Sequence, residues 1–193
     1  MAGPKKYIAV AGNIGAGKST LVEFLQYRFA LTPFPEPNAD NPFLSSFYDD
    51  MKKWAFHSQM FFLAHKFKIH QDLSDHQGTV VQDRTIYEDA EIFAENLYRS
   101  KKMSKSEYQT YRKLYTSITK TLRPPDLMIY LRASVRTVRK RIRFRGRPEE
   151  QDIPLRYIRR LHDLYEEWFT RYQESPTLVI EVDSLDYIQN LVD

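Results

Sequence analysis

Residues Gly12-Asn13-Ile14-Gly15-Ala16-Gly17-Lys18-Ser19 fit the phosphate-loop pattern G-x-x-x-x-G-K-[ST] at every fixed position. The pattern has a physical reason. Glycines let successive backbone N–H groups turn inward on a phosphate, and a helix opening at Lys18 aims its positive dipole end at the same point. Lys18 would reach the β- and γ-phosphates of a nucleoside triphosphate, and the Ser19 hydroxyl would ligate Mg²⁺. The cradle is taken as Gly12 to Thr20. The plain alternative is an ordinary glycine-rich turn between a strand and a helix; a match at every fixed position, with a strand before it and a helix after it, makes a chance occurrence of the motif rare.

A phosphate cradle alone serves a kinase, a switch GTPase or a motor equally well. Two acidic stretches bear on the destination of the phosphate. Glu36 lies in "FPEPNADNP", where flanking prolines hold the backbone extended and pre-set its carboxylate. A carboxylate fixed near the γ-phosphate accepts the proton of an attacking hydroxyl, although a solvated loop residue would look the same in sequence. Asp83 ends the apolar run "TVVQD", at the strand end where open α/β sheets put ligands, and could hold Mg²⁺ through water. Arg84 follows and could neutralise a transferring phosphoryl, yet charged residues commonly end strands. A third feature is the run Arg132 to Arg147, with seven arginines, one lysine and no acid. Val135, Val138 and Ile142 give it one narrow apolar edge, so a cationic helix is expected. Its guanidinium groups suit a mobile cap over phosphates, a solvated face or a nucleic-acid grip. The formal net charge of only +4 disfavours the last, and Arg136, Arg139 and Lys140 read as ordinary surface.

These groups need elements to position them. "YIAVA" (7–11), "TVVQD" (79–83), "LMIYL" (127–131) and "TLVIEV" (177–182) read as buried strands, with "LTPF" before Glu36 as a weaker fifth. Leu21, Phe24, Leu25 and Phe29 recur at helical spacing after the cradle. A long helix is expected from about Lys52 to Asp75, with Trp54, Phe61, Phe62 and Phe67 available for a core. Further helices are expected over 87–99, over 105–122 and over 154–172, the last with Leu155, Ile158, Leu161, Tyr165, Trp168 and Tyr172 as its stripe. Strands alternating with helices imply an α/β fold with a parallel, five-stranded sheet flanked by helices in three layers.

The 193 residues, 42% of them hydrophobic, suffice for one core, so a single domain over 1–193 is expected. The absence of cysteine excludes a disulfide framework and cysteine metal sites. The start "MAGPKKYIAVAG" is too short for a membrane span and lacks a signal-type cleavage site, so a soluble, cytoplasmic protein is expected.

Five motifs in this order, "GNIGAGKST", the "PEP" glutamate, "WAFHSQMFFL", "DRTIYEDAEIFAENL" and "RGRPEEQDIPLRYIRRLHDLYEEW", resemble the deoxynucleoside kinases, especially their compact bacterial deoxyadenosine/deoxyguanosine kinase branch. The resemblance runs from about Tyr7 to Val182. It implies a P-loop kinase-like fold with an arginine-rich lid at about 141–150, ATP and Mg²⁺ as donor and cofactor, and transfer of the γ-phosphate to a deoxynucleoside 5′-hydroxyl in nucleotide salvage. Glu36 then matches the general base, and Arg84 the arginine that contacts the hydroxyl and the phosphates. Asp83 takes the acidic position associated with magnesium. Thr85 stands where the family usually has serine. Tyr48 and Glu150 match the pair that bonds the 3′-hydroxyl, and a tyrosine beneath the sugar leaves no room for a 2′-hydroxyl. Gln59 and Asp89 match the residues that read the base edge. Arg141, Arg145 and Arg147 match the lid arginines.

Lys66 departs from the family, standing where many members place arginine, and a lysine cannot make the two-pronged contact of a guanidinium. Base selectivity is thereby open between purine deoxynucleosides, favoured here, and deoxycytidine. The anionic Asp89 argues against thymine. The family usually forms homodimers through helices, and the aromatic residues from Tyr108 to Tyr115 could serve that or simply be core. Neither a nucleic-acid nor a membrane partner is expected. Two rivals remain. A nucleoside monophosphate kinase, such as thymidylate kinase, would need extra cations around its acceptor and no base at Glu36. A nucleotide-dependent switch would need a motif such as N-K-x-D, which the sequence lacks.

Overall fold

The computed structural model describes residues 6–37 and 40–185. Along them run β1 (Tyr7–Gly12), α1 (Lys18–Phe29), β2 (Thr32–Phe34), α2 (Leu44–Asp49) and α3 (Met51–Asp75). Next come β3 (Val80–Asp83), α4 (Ile86–Glu88), a π-helical segment Asp89–Ala94, α5 (Glu95–Arg99) and α6 (Lys105–Thr119). Then follow β4 (Leu127–Arg132), α7 (Val135–Arg145), α8 (Pro148–Gln151), α9 (Leu155–Arg171) and β5 (Thr177–Glu181). The chain divides into two compact units. One comprises Met1–Glu36, Asp75–Thr85 and Pro124–Asp193, the other Pro37–Ser74 and Ile86–Arg123.

The first unit holds a five-stranded sheet in the order β2-β3-β1-β4-β5, every pairing parallel. Parallel strands covered by helices read as continuous apolar runs, and β1 obeys: Ala9, Val10 and Ala11 are fully buried, with Val80 and Val81 of β3 beside them. The weakly signalled "LTPF" does pair, Thr32 opposite Val80, as the outer strand β2. Its proline sits on that edge, where a missing N–H is tolerated. The chain leaves β1 towards β2 and β3 and later returns to β1's other side as β4, so the carboxyl end of β1 is a topological switch point, where such sheets bind ligands. α9 buries Tyr157, Ile158, Leu161, Leu164, Tyr165 and Trp168, close to the stripe expected from its spacing.

The second unit is helical. α3 begins and ends almost where its periodicity predicts, but buries a different set. Of the four aromatic residues expected in the core only Phe62 is buried; Trp54, Phe61 and Phe67 are half-buried. The buried face instead runs through Ala55, Gln59, Phe62, Lys66, His70 and Leu73, a stripe with helical period that carries three polar side chains. The half-buried rings satisfy one another on the flank: Trp54 stacks on Phe43, centroids 5.7 Å apart, and Phe61 on His65 at 4.0 Å. The helix expected over 87–99 exists but is not uniform, because its middle widens to a π turn at Asp89. α6 starts in a capping box, Ser104 accepting from the Glu107 N–H while Glu107 accepts from the Ser104 N–H. It ends at Thr119, three residues short of the expected stop. Among the described residues no helix is long and apolar enough to cross a membrane.

Candidate active site

The turn after β1 is built as a cradle. Gly12 has φ 152°, and a Cβ there would stand 2.9 Å from the Leu131 carbonyl oxygen, so no other residue fits. Gly15 has φ 74°, and its missing Cβ is the space into which α7 packs: a methyl group would meet Ile142 Cγ1 at 3.0 Å and the Val138 carbonyl at 3.2 Å. Gly12, Asn13, Ile14, Ala16 and Lys18 are buried, Gly15, Gly17 and Thr20 half-buried. The Lys18 ammonium donates to the carbonyls of Gly12 at 3.0 Å and Asn13 at 3.2 Å. The role of the Asn13 side chain was not legible from residue spacing. Its Oδ1 accepts from the Ile14 N–H at 2.8 Å and its Nδ2 donates to the Ile158 carbonyl of α9 at 3.3 Å, anchoring the loop.

Two polar pairs lie at the strand ends beside this turn. The Ser19 hydroxyl donates to Asp83 Oδ2 at 2.7 Å. Arg84 Nη1 donates to Glu36 Oε1 at 2.5 Å and its Nη2 to the Gly12 carbonyl at 3.3 Å. The side chains of Arg84 and Glu36 are only 7% and 10% exposed, so water screens this ion pair little. Arg84 also adopts φ 58°, a left-handed backbone that non-glycine residues avoid. Its N–H meanwhile donates to the Val10 carbonyl of β1 at 3.0 Å. Strain of this kind costs of order 1–3 kcal/mol and clusters at functional positions. The structure therefore brings Glu36, Asp83, Arg84, Lys18 and Ser19 together around one turn.

The arginine-rich helix α7 is capped by Ser134, whose hydroxyl accepts from the Thr137 N–H, and it ends at Gly146 with φ 69°. Val138 and Ile142 are buried, while Arg136, Arg139 and Lys140 are exposed, as their positions predict. Arg141 donates from Nη1 to the Ala16 carbonyl at 2.8 Å and from Nη2 to the carbonyls of Val182 and Leu185, both at 3.0 Å. Arg145 Nη2 donates to Glu150 Oε2, and Arg147 Nη1 lies 3.5 Å from Glu150 Oε1. Glu150, expected to face a sugar, is here a buried carboxylate held by Arg145 and Arg147.

The remaining expected residues sit in the helical unit. Tyr48 on α2 is half-buried, its ring edge-on to Phe47 at 5.2 Å. Gln59 and Asp89 are 3% exposed and Lys66 is fully buried. Gln59 Oε1 has no hydrogen-bond partner among the described residues. An orphaned buried acceptor is costly, about 1–3 kcal/mol, and calls for a ligand or a water. His70, one turn beyond Lys66, was not singled out from the sequence, although its spacing of four put it on the same stripe. Burial, and after it the Lys66 charge, push its imidazole down to about 4, so it is neutral at ordinary pH.

The deoxynucleoside kinase family profile matches residues 8–192. The chain is 37% identical to the deoxyadenosine/deoxycytidine kinase of Bacillus subtilis (strain 168), over 96% of this chain and 89% of that protein. It is 35% identical to the deoxyguanosine kinase of the same organism, over 97% and 91%. Among solved structures it superposes on deoxyadenosine kinase from M. mycoides with bound dATP at a TM-score of 0.87, with 31% identity and coverage of 97% and 95%.

Proposed function

The chain belongs to the deoxynucleoside kinase family, is a phosphotransferase with the P-loop kinase fold, and from that premise we propose how its own residues carry the reaction and on which base. The reaction moves the γ-phosphoryl of ATP to the 5′-hydroxyl of a deoxynucleoside, in salvage of free nucleosides. Lys18 leaves the Gly12 and Asn13 carbonyls for the phosphates, joined by the N–H groups of the cradle. Glu36 accepts the 5′-hydroxyl proton as that oxygen bonds to the γ-phosphorus, and the bond to the bridging oxygen of ADP breaks. Arg84 holds the carboxylate in place and, with Arg141, Arg145 and Arg147, offsets charge on the phosphoryl in flight. The observation that carries this reading is the buried Glu36–Arg84 pair, tied by Arg84 to the carbonyl of Gly12 in the cradle itself.

The residues present fit magnesium. Among the described residues no group of three His, Asp or Glu side chains could hold a metal ion, but Mg²⁺ characteristically takes one or two protein ligands and completes its shell with water and phosphate. Ser19 and Asp83, already paired at 2.7 Å, would supply these. When bound, the ion neutralises charge on the β- and γ-phosphates.

For the acceptor, Tyr48 and Glu150 hold the 3′-hydroxyl, which requires Glu150 to exchange its bonds to Arg145 and Arg147. Gln59, Lys66 and Asp89 read the base. The buried Gln59 Oε1 would accept from an amino group and Asp89 from an amino or imino group, a set that suits adenine, guanine or cytosine and disfavours thymine. We favour the purines. A homodimer is proposed from the family resemblance alone, since Tyr111 and Tyr115 are buried within their own unit. The cysteine-free sequence suits a cytoplasmic location. Incubation with ATP, Mg²⁺ and each of deoxyadenosine, deoxyguanosine, deoxycytidine and thymidine, with the corresponding monophosphates as controls, tests the reading. ADP release is expected with a purine deoxynucleoside, and release only with monophosphates would refute it.

A further inference from the structure

The Tyr111 hydroxyl on α6 is fully buried and has no hydrogen-bond partner among the described residues. Phenylalanine would fill nearly the same space without the ~1–3 kcal/mol that an unmet buried hydroxyl costs, so the oxygen calls for a use. Among titratable groups, Asp89, Tyr115, Arg112 and Tyr108 bear on its charge. Tyr108 gives its own proton to Glu95. Arg112 carries only donors, is bonded to Glu91 at 2.7 Å and lies over the Tyr115 ring at 5.1 Å. Tyr115 offers a neutral oxygen. Asp89 is the one anionic acceptor of the four, and it opens the π segment against which α6 packs. π turns are rare and recur at functional sites.

We propose that Tyr111 is the positioning residue for Asp89: once a nucleoside is bound, its hydroxyl donates to the Asp89 carboxylate, directly or through one water. The bond sets the angle at which the carboxylate meets the amino group of the base. The inference rests on the reading of Asp89 as a base acceptor given above. Hydrogen bonds at such sites commonly tighten only in the substrate complex, which accounts for an open hydroxyl here. Burial, and after it the Asp89 charge, hold the phenol well above its usual range, so it stays in the donor form at any working pH.

The test is Tyr111→Phe, assayed with deoxyadenosine and ATP beside a melting curve. The KM for deoxyadenosine is expected to rise about 5- to 10-fold, the net size of one ordinary hydrogen bond. The KM for ATP should stay within about twofold, and melting should be unchanged or raised because an unmet hydroxyl is gone. In an Asp89→Asn background the same change should add no further loss, since both act through one contact. An unchanged deoxyadenosine KM overturns the proposal, and so do a fall in melting temperature with parallel losses for both substrates and independent effects in the double variant. Wild-type protein inert towards every deoxynucleoside would bring down the reading of Asp89 as well. Active wild type with an unaffected Tyr111→Phe brings down the role of Tyr111 alone.

Discussion

Replacing Glu36 by Gln keeps the shape of the side chain and removes its charge and basicity. In the folded protein the carboxylate accepts from Arg84 at 2.5 Å, both side chains being at most 10% exposed. The glutamine carbonyl can still accept that bond, so the loss is the difference between a charge-assisted and a neutral hydrogen bond, about 1–2 kcal/mol. Against a typical stability of about 5–15 kcal/mol the variant therefore folds. Its chemistry should suffer more. Losing a positioned general base costs on the order of 10² or more in turnover, or at least about 2.7 kcal/mol of barrier. The assay is steady-state ADP release at saturating ATP and deoxyadenosine, with nucleoside affinity measured separately by calorimetry. Turnover should fall at least 10²-fold with affinity nearly unchanged. A kcat within about threefold of wild type in a folded Glu36→Gln protein would remove Glu36 from the chemistry.

The remaining predictions concern stability and the cradle. His70 has its imidazole pushed down to about 4 against 6.5 in the unfolded chain, so between those values the unfolded state binds the extra proton and stability rises with pH. Going from pH 7.5 to 4.5 should cost about 2.5 kcal/mol from this residue, and a His70→Gln protein should show a urea-unfolding pH slope flatter by that amount; equal slopes would contradict it. Gly15→Ala forces a methyl group to 3.0 Å from Ile142 at φ 74°, so a loss of about 2 kcal/mol, roughly 4–8 °C in melting temperature, is expected together with a higher KM for ATP. Unchanged melting would show that α7 gives way freely at that contact.

What could be read in the sequence was what depends on local pattern. The cradle depends on residue types at fixed spacing, and its strand and helix on apolar period, so Gly12 to Thr20 was legible outright. Even the weak strand 32–34 was legible, since its proline sits on the outer edge of the sheet. The face of α3 was less so. Four aromatic rings outweigh Gln59, Lys66 and His70 on any hydrophobicity count, yet the helix turns the polar stripe inward because the second unit packs around it. The π turn at Asp89 is defined by which carbonyl each N–H meets, not by composition, and left no trace in the residue pattern. The pairing of Glu150 with Arg145 and Arg147 depends on the chain bending at Gly146, a tertiary event.

The fit of α7 into the gap left by Gly15 has a mechanical consequence. With Ile142 lodged there and Arg141 strapped to Ala16, the first two turns of α7 are welded to the floor they overhang. If this helix closes over a triphosphate, as proposed, the swing would have to pivot beyond Ile142, where a Cβ built on Gly146 would meet nothing closer than 4.0 Å. Such a stroke would be that of a fingertip, carrying Arg147 while Arg141 and Arg145 stay behind on the helix as the knuckle.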